Sequence, residues 1–262
     1  MKIDILTIFP SMFEGFLSNS IIKRAIDKKV VEVNVIDIRP FSNDKNKRVD
    51  DYPIGGGAGM IMMCQPVLDC LKSIKKENSK VILMSPRGKT FNQTLAHDLV
   101  DNNEHLIFIC GHYEGLDERI NEYVDIFISL GDYILTGGEL ASMVISDALI
   151  RLIDGAINNE STSDESFENG LLEYPQYTFP RNYLDKEVPS ILFTGNHEAI
   201  RKYRLKESLR ITKENRPDLL ENRNFTKEEL KLLKEIEENN DNPKWLNNAL
   251  EKAKKFMQKE EI

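Results

Sequence analysis

Apolar runs alternate with helix-like patterns along the first 150 residues, and three of the apolar runs end in glycine-containing segments. The run at 81–84 leads into Ser-Pro-Arg-Gly at 85–88, and the run at 106–109 leads into Cys-Gly-His-Tyr-Glu-Gly at 110–115. The third, glycine-rich segment spans 129–140. Glycine leaves the backbone open to a ligand, and α/β sheets bind ligands at the carboxyl ends of their strands. The sequence therefore predicts a small-molecule pocket at these three segments.

The alternation itself predicts an α/β fold with a mostly parallel sheet and helices on both of its faces. The pattern predicts strands at 3–9, 30–38, 80–84, 105–110 and 124–130, and helices at 12–27, 65–77, 92–100 and 138–153. Thr136 and Glu139 are three residues apart at the start of the last of these helices. That spacing predicts a capping box, in which both side chains bond backbone N–H groups.

A second, smaller unit is expected after a polar stretch without periodicity that begins at Asp154. Helical patterns return near 197–212, 226–238 and 244–259. We therefore expect three parts, a ligand-binding catalytic domain at 1–160, an interdomain loop at 161–173 and a small helical domain at 174–262.

The bulk composition indicates an ordinary globular protein. The 262 residues are 40% hydrophobic and carry a net charge of -8, and no apolar run reaches the length of a membrane span. A cytoplasmic protein without membrane contact is the expectation. Cys64, Cys70 and Cys110 lack metal-binding spacing and predict reduced, buried thiols and no metal site, with a nucleophilic Cys110 as the alternative.

Local charge departs from the acidic average between residues 196 and 216. This segment holds three acidic residues against seven basic ones, Arg201, Lys202, Arg204, Lys206, Arg210, Lys213 and Arg216. A solvated helix face and an RNA-binding stripe both explain such a segment.

The glycine cluster at 55–59 does not match a phosphate-binding motif, because no lysine followed by serine or threonine comes after it and no strand leads into it. The three strand-end segments contain few fixed positive charges, chiefly Arg87 and Lys89, and the third holds Asp132 and Glu139. Backbone amides beside apolar side chains suit an adenine and a ribose. A neutral or cationic adenosine compound therefore fits better than a nucleoside polyphosphate.

The segments at 48–60, 110–119, 131–139, 195–197 and 216–220 closely resemble the bacterial tRNA (guanine-N1)-methyltransferase family. The resemblance runs in order from residue 1 to about residue 220. It implies a trefoil-knotted SPOUT domain that binds S-adenosylmethionine, with magnesium as a further expectation. It also implies a homodimer with shared active sites that methylates tRNA at N1 of guanosine 37, just 3′ of the anticodon.

By this resemblance the cofactor is expected to contact the three glycine segments. The residues concerned are Ser85, Pro86, Gly88, Gly111, Tyr113, Leu130, Gly131, Asp132, Tyr133, Ile134, Leu135, Gly137 and Gly138. The substrate is expected to contact Asp50, His197, Arg201 and Arg204, with Lys202 and Lys206 beside them on the anticodon stem.

The chemistry requires a base near guanine N1, which carries a proton, and a donor for the charge that develops on O6. The resemblance assigns the donor to Arg151, which could instead form an i,i+4 pair with Asp147. It assigns a guanine clamp to Glu114. The family's catalytic aspartate falls at Glu165 here, with Asp164 directly before it as the alternative base.

The sequence departs from the family elsewhere too. Gln176 and Phe179 stand where histidine and arginine are usual, and Arg181 is close enough to replace the missing cation. Another knotted methyltransferase and an inactive RNA-binding dimer are the rival interpretations.

Overall fold

The computed structural model describes residues 1–157 and 164–260, with side chains up to residue 253. The chain divides into two compact units between residues 159 and 160. Within the described residues, no helix is both long and apolar enough to cross a membrane.

The first unit is built on a parallel sheet. Its strands are β1 (Lys2–Thr7), β2 (Glu32–Asp37), β3 (Asp50–Asp51), β4 (Ile61–Met62), β5 (Ser79–Thr90), β6 (His105–Ile109) and β7 (Ile126–Ser129). The five longer strands are all parallel in the order β2-β1-β6-β5-β7, and β3 and β4 form a separate antiparallel pair. The predicted mostly parallel sheet is therefore confirmed.

Helices cover both faces of this sheet, as predicted. They are α1 (Glu14–Leu17), α2 (Ser20–Asp27), α3 (Cys64–Ile74), α4 (Gln93–Asp101) and α5 (Glu139–Ile150). Alternate residues of a strand point to opposite faces. Leu106 and Phe108 of β6 accordingly pack in one core cluster with side chains of α2, α4 and α5. Ile107 and Ile109 pack in a second cluster with side chains of α3.

Two local predictions were wrong. The single helix expected at 12–27 is a 3-10 turn (Pro10–Phe13) followed by α1 and α2, and Ser20 has a φ of 56° at the break. β5 does not end before the first glycine segment. Met84 and Lys89 both align with Ile128 of β7, so residues 85–88 form a bulge within the strand and not a turn at its end.

The capping box predicted from Thr136 and Glu139 is also absent. α5 begins at Glu139, and its N-cap is Gly138, without a side-chain cap. The Glu139 side chain is buried and accepts a hydrogen bond from Thr7 Oγ1 at 2.8 Å. A buried carboxylate requires a hydrogen-bond partner. The Thr7 hydroxyl, which is distant in sequence, provides that partner in place of the local cap.

The second unit is mainly helical, with α6 (His197–Asn215), α7 (Asp218–Glu221), α8 (Lys227–Glu237), α9 (Lys244–Glu260) and a small hairpin of β8 (Asn182–Tyr183) and β9 (Lys186–Glu187). Three of these helices match the predicted ones. α8 has a capping box between Thr226 and Glu229. The core of the unit contains Leu209 and Leu232 together with Leu171, which lies in the segment expected to be a loop between domains.

Candidate functional site

A cavity of about 360 Å³ lies beside the bulge of β5 and the carboxyl ends of β6 and β7. All three glycine segments contribute to its wall, as the sequence predicted. Eleven of the expected cofactor residues line it, Ser85, Pro86, Gly111, Tyr113, Leu130, Gly131, Tyr133, Ile134, Leu135, Gly137 and Gly138. The carboxyl edge of a parallel sheet is where such folds bind ligands.

The second and third glycine segments are held directly against each other. Gly138 N–H donates to the Gly111 carbonyl oxygen at 2.7 Å, and His112 pairs with Gly137 in an antiparallel bridge. A Cβ added to Gly138 would lie 2.8 Å from Cys110 Cα, so a larger residue would separate the segments. The backbone itself therefore forms this part of the pocket wall.

Two expected cofactor residues lie elsewhere. Gly88 does not line the cavity, because its Cα faces β7, where an added Cβ would lie 2.3 Å from Ile128 N. Its role is to let the bulge pack against β7. Asp132 has an exposed side chain and is also absent from the wall.

Sequence reasoning missed several wall residues. Arg87, His112 and Thr136 lie inside the glycine segments, next to residues that were chosen. Glu118 and Asn121 also line the cavity and come from a 3-10 helix (Glu118–Tyr123) that carries no glycine signal.

Glu114, the expected guanine clamp, lines the cavity, and a glycine from another loop shapes its position. Gly59 has a φ of +77°, and a Cβ there would lie 2.4 Å from Glu114 Cγ. Glu114 N–H also donates to the Met60 carbonyl oxygen at 3.0 Å. The glycine cluster at 55–59, which matched no phosphate motif, thus packs against the Glu114 side chain through Gly59.

Charges around the cavity are predominantly acidic. Arg87 donates to both carboxylate oxygens of Glu118 at 2.8 and 3.0 Å, and this hydrogen bonding lowers the pKa of Glu118. His112 Nδ1 lies 3.6 Å from Glu139 Oε2, too far for a hydrogen bond. With Glu114 also in the wall, the cavity suits a neutral or cationic ligand better than a polyphosphate.

The proposed catalytic groups belong to both units. Arg151 is half-buried in the first unit and directly follows the last residue of α5. In the second unit Asp164 is exposed and accepts a hydrogen bond from the Tyr174 hydroxyl at 3.2 Å, and Glu165 is half-buried. Glu173 N–H donates to Ser166 Oγ at 2.9 Å. The two acids therefore lie on a folded turn.

The basic stripe is largely neutralised by ion pairs. Arg201 bonds Glu198 at 2.7 Å and Glu228 at 2.9 Å. Arg210, Lys213 and Arg216 pair with Asp241, Glu237 and Asp218. Lys206 is 3% exposed and donates to the Asn240 carbonyl oxygen at 2.6 Å, so its expected place beside the anticodon stem was wrong.

The other expected substrate residues are accessible. His197 is exposed at the first position of α6. Asp50 lies in β3. Burial is the main cause that raises the pKa of Tyr113 in the pocket wall, and the negative charge of Asp50 raises it further. Arg204 stacks on the Tyr174 ring with its Cζ 4.6 Å from the ring centre.

Burial disfavours the nucleophilic thiolate form of the cysteines. Burial raises the pKa of the Cys110 thiol far above its usual range and that of Cys70 to about 12, and all three cysteines are free. Cys64 is only half-buried, contrary to the expectation of full burial. Among the described residues no three His, Cys, Asp or Glu side chains converge as a metal site.

The parallel sheet and its glycine-walled cavity define an α/β protein with a cavity at the carboxyl ends of its strands that suits a small organic ligand. A family model described as tRNA (Guanine-1)-methyltransferase TrmD matches residues 1–222. The chain belongs to this family, and the predicted resemblance is confirmed.

Individual relatives agree with this assignment, and each is named tRNA (guanine-N(1)-)-methyltransferase. The protein of Clostridium botulinum (strain 657 / Type Ba4) is 56% identical over 238 residues, which cover 90% of this chain and 98% of the relative. That of Clostridium tetani (strain Massachusetts / E88) is 56% identical over 234 residues, covering 88% and 97%. That of Aster yellows witches'-broom phytoplasma (strain AYWB) is 52% identical over 238 residues, covering 91% and 98%.

Proposed function

We propose that this protein transfers a methyl group from S-adenosylmethionine to N1 of guanosine 37 in tRNA, immediately 3′ of the anticodon. Membership of the tRNA (guanine-1)-methyltransferase family supports the methyl transfer, the tRNA substrate and the guanine N1 acceptor. The single structural observation that carries the proposal is the cavity of about 360 Å³ with its wall of three glycine segments.

The cavity fits the cofactor chemically. Leu130, Ile134 and Leu135 give an apolar wall for an adenine, and the free backbone groups of the glycine segments suit its polar edge and the ribose. The carboxylate of Glu114 complements a sulfonium charge, whereas that of Glu118 is already paired with Arg87. We also propose that the fold contains a trefoil knot, which rests on the family alone.

In the proposed mechanism Glu165, or Asp164 in its place, accepts the N1 proton of guanine. Arg151 donates a hydrogen bond to O6, where negative charge develops as that proton leaves. Glu114 accepts hydrogen bonds from the guanine edge and holds the base in position. The bound cofactor supplies an electrophilic methyl group. Magnesium, expected from the resemblance, is assigned to no residue.

The proposal includes a homodimer in which both chains contribute to each active site. Leu140 and Val144 lie one turn apart on α5 and are 48% and 52% exposed, and Ile134 beside them in sequence is 82% exposed. Contiguous exposed apolar side chains mark interaction surfaces. An interface at the start of α5 would lie next to the third glycine segment.

The function is tested with labelled S-adenosylmethionine and tRNA transcripts carrying G or A at position 37. Transfer to the G transcript alone is expected. Transfer to the A transcript would contradict guanosine 37 as the methylated nucleotide. RNA binding without transfer to either transcript would identify an inactive RNA-binding dimer.

The identity of the base is tested by Glu165→Gln, with Asp164→Asn as the matched variant. Loss of a general base costs about 10²- to 10⁴-fold in turnover. We expect that loss in Glu165→Gln with unchanged cofactor affinity measured by calorimetry. A loss confined to Asp164→Asn would move the base by one residue.

A further inference from the structure

A second cavity, of about 230 Å³, lies within the helical unit. Its wall includes Tyr177, Phe179, Leu192, Phe193, Ile200 and Arg204. The cavity is smaller than the roughly 300 Å³ at which pockets for drug-sized ligands begin. Its size and its ring-rich wall therefore suit a single planar ring system better than a whole nucleotide cofactor.

Two aromatic side chains of this wall are open to solvent. Phe179 is 78% exposed and Tyr177 is 44% exposed. Flat aromatic faces at an open pocket are platforms on which unpaired bases stack, whatever their sequence.

Two arginines without a carboxylate partner contact aromatic rings here, Arg204 in the cavity wall and Arg181 against the ring of the wall residue Phe193. Arg204 Cζ lies 4.6 Å from the centre of the Tyr174 ring, and Arg181 Cζ lies 4.1 Å from that of Phe193. Within the described residues, no carboxylate lies within ion-pair distance of either guanidinium. Their positive charge is thus available to a phosphate backbone, in contrast to the ion-paired Arg201 and Arg210 on the same helix.

We propose that this cavity binds one unstacked nucleobase of the tRNA anticodon loop, different from the guanine that is methylated. The base stacks against Phe179 and the neighbouring rings, while Arg204 and Arg181 contact the flanking phosphates. A peptide or a second copy of the chain would not require two unpaired arginines beside aromatic rings. This inference rests on the proposed tRNA substrate and adds a second base contact to it.

The test combines protein variants with abasic tRNAs. Binding of wild-type protein, Phe179→Ala and Arg204→Ala is measured against transcripts that lack one base at each anticodon-loop position in turn. Leu230→Ala and Lys231→Ala on α8 are the matched controls, since both side chains are exposed and lie outside the cavity. Stacking of one base corresponds to about a tenfold change in affinity.

One abasic position other than 37 should weaken wild-type binding about tenfold and leave Phe179→Ala almost unaffected. If the affinity losses from the abasic position and from the protein variant were additive at every loop position, the inference would be overturned. Variants that changed only the sedimentation coefficient would also overturn it, because they would assign the cavity to contact with a second copy of the chain. Binding is measured separately from methylation. Failure of wild-type protein to methylate therefore contradicts the proposed function alone, and additive losses with normal methylation contradict this inference alone.

Discussion

Glu114 depends for its position on Gly59, a residue of another loop. The positive φ of Gly59 is unfavourable for a residue with a side chain. An added Cβ would also lie only 2.4 Å from Glu114 Cγ, which leaves no room for it. Gly59→Ala should therefore displace the carboxylate and lower turnover about 10- to 100-fold with little change in cofactor affinity. Steady-state kinetics and calorimetry measure both quantities. Gly15→Ala, where an added Cβ meets nothing within 4 Å, is the control, and equal losses in both variants would contradict the prediction.

Asp4 forms a buried network at the amino end of the sheet, away from the glycine segments. Its carboxylate lies 2.8 Å from His105 Nε2 and accepts hydrogen bonds from Asn34 and Lys2 at 2.8 and 2.9 Å. Burial acts to raise the pKa of Asp4, but these hydrogen bonds outweigh it and hold the pKa below the usual 3.8. The unfolded chain thus binds the proton more readily, and the stabilisation is lost as the pH falls below about 4.

Asp4→Asn should lower the free energy of unfolding by about 2 kcal/mol at pH 7, because hydrogen bonds to a buried charge are lost. The difference from wild type should narrow towards pH 3, where the wild-type carboxylate also becomes protonated. Urea unfolding between pH 7 and pH 3 measures this difference in the free energy of unfolding, with Asp101→Asn at an exposed position as the control. A difference that stays constant with pH would contradict the assignment.

At the scale of the element, α6 shows why a charge pattern predicts little by itself. Its basic residues fit both a solvated helix face and an RNA-binding stripe, yet Lys206 faces the interior of the unit, where it bonds Asn240 and lies 3.3 Å from Glu235 Oε2. Lys206→Met would leave the Asn240 carbonyl oxygen without this donor and would leave the Glu235 carboxylate with only the Trp245 indole N–H, so it should cost about 3 kcal/mol of stability. Urea unfolding measures this loss, and the exposed Lys231→Met should show almost none. If Lys206→Met weakened tRNA binding without any loss of stability, the result would contradict the buried role of Lys206 and support its contact with a tRNA phosphate.

At the scale of the whole molecule, the proposed dimer depends on the exposed apolar face of α5. Val144→Asp should place a charge in the interface, shift the sedimentation coefficient to that of a monomer and abolish methyl transfer, since the sites are shared. Leu230→Asp on α8, a residue that is 54% exposed, should change neither. A monomeric wild-type protein, or an active Val144→Asp monomer, would contradict the dimer.

The sequence by itself determined the parallel sheet, the helices on both of its faces and the position of the pocket. These follow from local periodicity and from glycines at strand ends, which are properties of neighbouring residues. Its family motifs also identified about half of the residues in the pocket wall. The roles of Glu165, Asp164 and Arg151 stay predictions.

Only the tertiary structure decided which neighbours individual residues contact. Glu139 turns inward to Thr7 instead of capping its helix, Gly88 packs against β7 instead of a ligand, and Lys206 is buried instead of exposed. In each case the decisive partner lies far away in sequence. Burial then makes that partner's hydrogen bond or close packing worth more than any local preference, and no local pattern records it.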